Sequence, residues 1–317
     1  MMDFLRIACA VPRVSLGDPK ANAREMAGQM AQAEGQNADL LVFTELSLTG
    51  YSCQDLFFQD ALYEAALEGL GMLLDASKNA SALTAVVGLP LRLGSRMFNC
   101  AAVVSGGALR GIVPKTYIPN YNEFYEKRWF SSGAELDRDA VTLEIPGREP
   151  VTVGIYPQGL FTIGEGTVFG VEICEDLWTP VPPSSLLALG GAEVLVNLSA
   201  SNETIGKAAY RRNLVKHQSA ALTCVYAYAS AGAGESSQDL IFSGQCLIAQ
   251  NGQLLGESQS PIVTEGLLIR DCDLGAIRAD RRKNKSFGDN AALLVPEPLP
   301  VVPVSQGKLR SDGTLLK

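Results

Sequence analysis

The chain has 317 residues, 47% of them hydrophobic, and a formal net charge of −8. That length and apolar content support a large core, in one big domain or two small ones. The acidic balance lacks the clustered Lys and Arg that a nucleic-acid or membrane-surface binder needs, and the one basic run, 281–285, reads as a short solvated turn.

The seven cysteines are odd in number and scattered, with no C-x-x-C pair and no zinc spacing, which predicts reduced thiols in a cytoplasmic protein. Asp3 and Arg6 interrupt the opening segment, so it is a poor signal peptide, and no stretch approaches the ~18 uninterrupted apolar residues of a membrane span. His217 is the single histidine. A His-rich metal site is therefore excluded, and any histidine-assisted nucleophile would have to use this residue. It falls in a helical stretch, 207–222, where a helix-flank role is expected.

In chain order, 4–11 reads as a strand. A helix follows over 18–36, with Asp18 as N-cap and Pro19 in its first turn. The apolar run 38–46 predicts a buried strand, 56–74 a helix and 83–90 a strand. Residues 98–115 predict a hairpin turned at Gly106-Gly107. Buried strands are expected at 167–174 and 192–199, and a second hairpin over 241–258, turned at Asn251-Gly252. The segment 38-ADLLVFTELS-47 echoes 192-AEVLVNLSAS-201, as two similar halves packed sheet on sheet would. Helices alternating with buried strands give an α/β domain over 1–289. The proline-rich, aperiodic stretch 290–317 reads as a linker or arm.

Three strands run out at reactive residues: Glu45, Lys115 and Cys174. In α/β sheets, strand ends aim side chains into one crevice. If the three converge there, Lys115 favours the thiolate and Glu45 takes its proton, and no histidine is required. Taken singly, each also fits a plainer role: a solvated charge for Glu45 or Lys115, a buried small side chain for Cys174. Cys53 is a rival thiol. Strand parity puts Glu172 on the same face as Cys174 and turns Glu175 away.

The trio with its flanks, FTELSLTGY, PKTYIPNYNEFYEKRWF and GVEICEDLW, resembles the nitrilase superfamily of carbon–nitrogen hydrolases. The segments 45–59, 114–130 and 197–214 resemble more narrowly the glutaminase domain of glutamine-dependent NAD synthetases, from about Arg6 to Phe287. The resemblance implies a four-layer αββα sandwich. It implies Glu45 as general base, Lys115 as oxyanion stabiliser and Cys174 as nucleophile, with the Glu175 N–H completing the oxyanion hole. Glu126 would orient Lys115, while Tyr121, Ser201 and Lys207 would bind the amino-acid end of glutamine. It further implies self-association across an exposed face and a synthetase domain as partner.

No phosphate loop accompanies these motifs. In 105-SGGALR-110 the positions that require Asp and Ser hold Leu109 and Arg110. The glycines of 164-GEGTVFG-170 miss dinucleotide spacing by one, and no Walker loop is present. No cofactor is expected on this chain; ATP and deamido-NAD would bind an absent synthetase domain, and the chain reads as one piece of a longer protein. A free-standing amidase acting on another small amide, or a non-catalytic assembly module of the same fold, are the competing readings.

Overall fold

The computed structural model describes residues 4–164, 166–258 and 266–305. Two mixed sheets face one another. The first runs, edge to edge, Gly266–Asp273, Phe4–Val11, Leu40–Val42, Thr84–Leu93, Arg96–Ser105 and Ala108–Pro114. The second runs Gln253–Glu257, Cys246–Gln250, Val225–Ser230, Val194–Ser199, Thr167–Ile173, Leu160–Ile163 and Val301–Ser305.

Alternation along the strands sorts the side chains into layers. Leu5, Ile7, Cys9, Val42 and Val86 of one sheet meet Phe169, Val171, Val196, Ala227 and Ile248 of the other in a shared inner core. On the outer face of the first sheet, Ala8, Leu41 and Val87 pack against Met26, Met30, Leu70 and Leu73 of the helices Pro19–Gly35 and Asp60–Asn79. On the outer face of the second, Leu195, Tyr226 and Tyr228 meet Leu187 and Val215 of the helices Pro183–Leu189 and Lys207–Ala221. The result is the expected four-layer αββα sandwich.

The sequence echo has a structural counterpart. Leu40–Val42 and Val194–Ser199 each lie inside their sheet with a parallel strand on either side. At equivalent positions of the echo, the Glu45 N–H donates to the Ser199 carbonyl at 3.2 Å, joining the two sheets where those strands end.

Several expected boundaries move. Helix 19–35 and both hairpins form, with Asp18 accepting from the Ala21 N–H as cap. The strand expected over 38–46 stops at Val42, because the chain then turns through Leu46 (φ 49°). The helix expected over 56–74 is a 3₁₀ segment, Tyr51–Phe58, kinked at Gln54, followed by Asp60–Asn79. The 281–285 run is not a turn: Arg281 lies in the last turn of the helix Leu274–Lys283 and donates to the carbonyls of Ala192, Leu222 and Thr223. The helix Lys285–Leu294 runs through the anticipated boundary at residue 289. Beyond it, Val301–Ser305 docks as a parallel edge strand on Leu160–Ile163. Residues 306–317 of the anticipated arm lie outside the described residues. Among the described residues, no helix is long and apolar enough to cross a membrane.

One glycine is dictated by the turn that carries Glu45. A Cβ on Gly88 would lie 2.3 Å from the Leu46 nitrogen and 2.5 Å from the Thr44 oxygen, against backbone that cannot swing aside. Gly88→Ala is therefore expected to destabilise the fold by about 1–3 kcal/mol, the usual cost of overpacking. Thermal unfolding measures it, and an unchanged Tm would contradict so close an approach.

Candidate active site

The loop after Val42, the end of the strand Ala108–Pro114 and the turn after Thr167–Ile173 meet at one buried point. Lys115 and Glu45 are fully buried and Glu126 is 1% exposed. The Lys115 ammonium donates to Glu45 Oε1 at 2.7 Å and to both oxygens of Glu126 at 2.8 Å. Asn99 Nδ2 supplies a second donor to Glu45 Oε1 at 2.7 Å, and the Tyr51 hydroxyl donates to Glu126 Oε1 at 2.9 Å. Glu45 Oε2 has no hydrogen-bond partner among the described residues, so one buried lone-pair edge of this carboxylate stays open.

Cys174 is brought to the same cluster by an unusual backbone. In Thr167–Ile173, Phe169, Val171 and Ile173 face the inner core. Strict alternation would send residue 174 outward. Instead Cys174 takes φ 45°, a left-handed conformation that costs a non-glycine residue of order 1 kcal/mol, and its side chain stays with the inner core. This overturns the parity expectation for Glu172. That carboxylate faces the outer layer, where it accepts from the Ser184 N–H at 2.8 Å and from the Tyr226 hydroxyl.

Two groups fix the turn. The Cys174 N–H donates to Asn197 Oδ1 at 3.2 Å, on the neighbouring strand. The buried Asp176 carboxylate accepts from the Ile173 N–H at 3.0 Å and the Tyr117 N–H at 2.8 Å, with a longer contact to the Thr116 N–H. It thereby clamps the Cys174 turn to the residues that follow Lys115. Burial and the Glu172 charge push Asp176 up to about 7.

The charges explain how such a thiol rests. Burial, then the Glu45 charge, hold Cys174 well above its ordinary value; Lys115 pulls the other way, as expected, but does not win. Burial by itself would lower the Lys115 ammonium, yet the Glu126 and Glu45 charges outweigh it and hold the group well above its usual range. One ammonium cannot fully neutralise two carboxylates, and burial pushes Glu126 up to about 7 despite Lys115. The rival Cys53 is buried, donates to the Thr49 carbonyl at 3.2 Å and is pushed up to about 12 by burial and then the Glu235 charge; unlike Cys174, it has no lysine among the charges that act on it.

The remaining expected residues flank this point. The Tyr121 hydroxyl donates to both oxygens of the half-buried Glu175 at 2.9 and 3.0 Å. Both line a groove of about 500 Å³ with Thr116, Tyr117 and Thr179. Lys207 donates to Asn202 Oδ1, and its ammonium lies 5.3 Å from the Trp178 ring centroid and 5.8 Å from that of Phe124. Ser201 is buried and accepts on Oγ from Arg211 at 3.2 Å. His217 is exposed on its helix, as a flank residue would be.

Asn99, Asp176 and Asn197 escaped the sequence reading. Asn99 and Asn197 are polar residues within apolar strands but carry amides rather than reactive groups; Asp176 is a carboxylate like Glu45, but it lies two residues beyond Cys174 rather than at the strand end.

The sandwich and the buried Glu-Lys-Cys cluster define a class of hydrolase, and comparison with known proteins agrees: the carbon-nitrogen hydrolase family profile matches residues 6–282, and the chain belongs to that family. More narrowly, it is 40% identical over 289 residues to the glutamine-dependent NAD(+) synthetase of Mycobacterium tuberculosis, covering 90% of this chain and 42% of that protein. The crystal structure of a glutamine-dependent NAD(+) synthetase from Cytophaga hutchinsonii superposes with a TM-score of 0.71 at 28% identity, over 84% of this chain and 43% of the other. A Nesterenkonia amidase of the nitrilase superfamily shares the fold, with a TM-score of 0.66 at 21% identity over 89% of this chain and 95% of that one. The chain thus spans less than half the length of the synthetases it matches.

Two measurements check the electrostatics. The thiol should be protonated at rest, so wild type minus Cys174→Ala should show no thiolate ultraviolet absorbance at pH 7; a thiolate band there would contradict the balance. Glu126, raised above its unfolded value, binds its proton more tightly in the folded state. Its contribution is greatest below the unfolded pKa and is lost as pH rises toward 7. The Tm of wild type relative to Glu126→Gln should accordingly fall between pH 5 and 8, whereas a pH-independent difference would contradict the shift.

Proposed function

We propose that this chain is a glutamine amidohydrolase that releases ammonia through a glutamyl thioester, as the ammonia-supplying part of a glutamine-dependent NAD synthetase. The observation that carries the chemistry is the open Glu45 Oε2 edge in a dry cluster with Lys115 and Cys174. The likeness to synthetases of which the chain spans less than half supports the assignment to one part of such a protein.

In this reading Glu45 takes the thiol proton as Sγ attacks the carboxamide carbon of glutamine. The tetrahedral oxyanion is held by Lys115 and the Glu175 N–H. All three Lys115 protons are engaged at rest by Glu45 and Glu126, so an oxyanion contact requires one Glu126 bond to lengthen. Glu126 accepts two of the three Lys115 bonds, so it keeps one when the other lengthens. The carbon–nitrogen bond breaks as Glu45 returns the proton to the departing nitrogen, giving ammonia. Water, deprotonated by Glu45, then cleaves the thioester to glutamate and restores the thiol.

The α-carboxylate of glutamine pairs with Lys207 and Ser201, and its α-ammonium with the Glu175 carboxylate that Tyr121 steadies. Both charges are costly to bury unpaired. ATP and deamido-NAD act at the synthetase part, which is also the partner. The free, buried thiols suit a reducing cytoplasm. Self-association through the exposed face of the sandwich belongs to the same reading and is checked by light scattering.

An ammonia-release assay tests the function. Cys174→Ala should lose turnover by several orders of magnitude while keeping its Tm, and near-normal release from it would refute the nucleophile. Lys207→Ala should impair free glutamine far more than a simple aliphatic amide, since only glutamine presents a carboxylate to it; equal losses would point to stability instead. With ATP, deamido-NAD and glutamine together the chain should release ammonia but form no NAD, and NAD formation by this chain alone would overturn the assignment to one half-reaction.

A further inference from the structure

Arg211 lies one helical turn beyond Lys207, and its side chain is fully buried. Its guanidinium donates from every edge. Nε reaches Gln245 Oε1 at 2.5 Å, Nη1 reaches Ser201 Oγ at 3.2 Å and the Asn202 carbonyl at 3.3 Å, and Nη2 reaches Glu203 Oε2 at 2.6 Å. Three of those four acceptors belong to the consecutive residues 201–203. A buried cation is tolerated only when paired and fully hydrogen-bonded, and Glu203 supplies the pairing here.

The consequence lies in what those residues hold. Asn202 accepts from the Lys207 ammonium and donates to Glu123 of the hairpin that carries Tyr121 and Phe124. Ser201 is therefore placed by Arg211 directly, and Lys207 through Asn202. A Ser201 oxygen that accepts from Arg211 can present its own O–H elsewhere, and a carboxylate is a natural acceptor for it. None of these bonds reaches Glu45, Lys115 or Cys174. A lysine in this place would keep the charge but could not fork to Ser201, Asn202, Glu203 and Gln245 at once.

We infer that Arg211 is a positioning residue for the amino-acid end of the substrate site: it fixes Ser201 and Lys207 for the carboxylate of a free amino-acid amide and leaves the chemical step untouched. This rests on the glutamine reading above.

The test compares wild type with Arg211→Lys and Glu203→Gln, following kcat and KM for ammonia release from glutamine and, by peptide mapping, alkylation of Cys174 by iodoacetamide. For Arg211→Lys, KM should rise at least about tenfold while kcat stays within about threefold, the pattern of lost uniform binding. Alkylation of Cys174 should stay within about twofold, because the thiol and its neighbours are undisturbed. Glu203→Gln, a milder change at a partly exposed residue, should raise KM in the same direction by less, and it decides the matter if Arg211→Lys does not fold. An unchanged KM with active wild type, or kcat and alkylation falling in parallel, would overturn the inference and leave the glutamine reading standing. A wild-type chain that is alkylated at Cys174 yet neither binds nor hydrolyses glutamine would overturn the glutamine reading, and this inference with it.

Discussion

The site depends on one buried ammonium shared by two carboxylates. Lys115, Glu45 and Glu126 lie within 2.7–2.8 Å contacts in a pocket with essentially no solvent. Counted with both acids ionised, that cluster carries one negative charge, and a thiolate would add a second. Such a charge is expensive in a low-dielectric site, which is why Cys174 rests protonated. Passing the thiol proton to Glu45 changes nothing in the total, because a neutral carboxyl replaces the charge that the sulfur acquires. The cluster can thus make a nucleophile at the moment of attack without a histidine, which the chain could supply only from exposed His217.

The scaffold holds this cluster in place at a local cost. Cys174 sits at positive φ, and Asp176 is a carboxyl buried among backbone amides. Both are unfavourable alone and are held by the large inner core between the sheets, while the Glu45 turn fits because Gly88 carries no side chain. The two halves meet through the Glu45–Ser199 hydrogen bond, so Glu45 is tied to the sheet that carries Cys174. The acidic neighbours of Cys174 have separate duties. Glu172 belongs to the outer layer, Asp176 clamps two loops, and Glu175 meets Tyr121 at the groove.

Much of this was legible in the sequence, and the failures have physical reasons. The α/β class followed from alternation and buried runs; the 38–47 and 192–201 echo was compatible with two packed sheets, and the four layers came from the resemblance. Strand ends pointed to Glu45, Lys115 and Cys174, but only the resemblance in their flanks gave them roles. The boundary of the strand at 38–46 and the facing of Glu172 were misread, because both turns need left-handed residues, Leu46 and Cys174, that sequence propensity does not favour. The segment near 290–305 looked like a linker, since Pro303 and its neighbours resemble an arm. An edge strand tolerates proline, and Val301–Ser305 forms one. Asp176 and Asn197 could not be ranked above other polar residues until their backbone donors were known.

The central claim is that Cys174 carries the acyl group and that Glu45 moves the proton that makes this possible. Its most direct test is an acid quench of the chain during turnover of glutamine, followed by peptide mapping. The account predicts one glutamyl thioester, on the peptide containing Cys174, in wild type, and greatly slowed formation of the same adduct in Glu45→Gln. Ammonia release with no covalent adduct at Cys174 under any quench time, or an adduct on another cysteine, would contradict it.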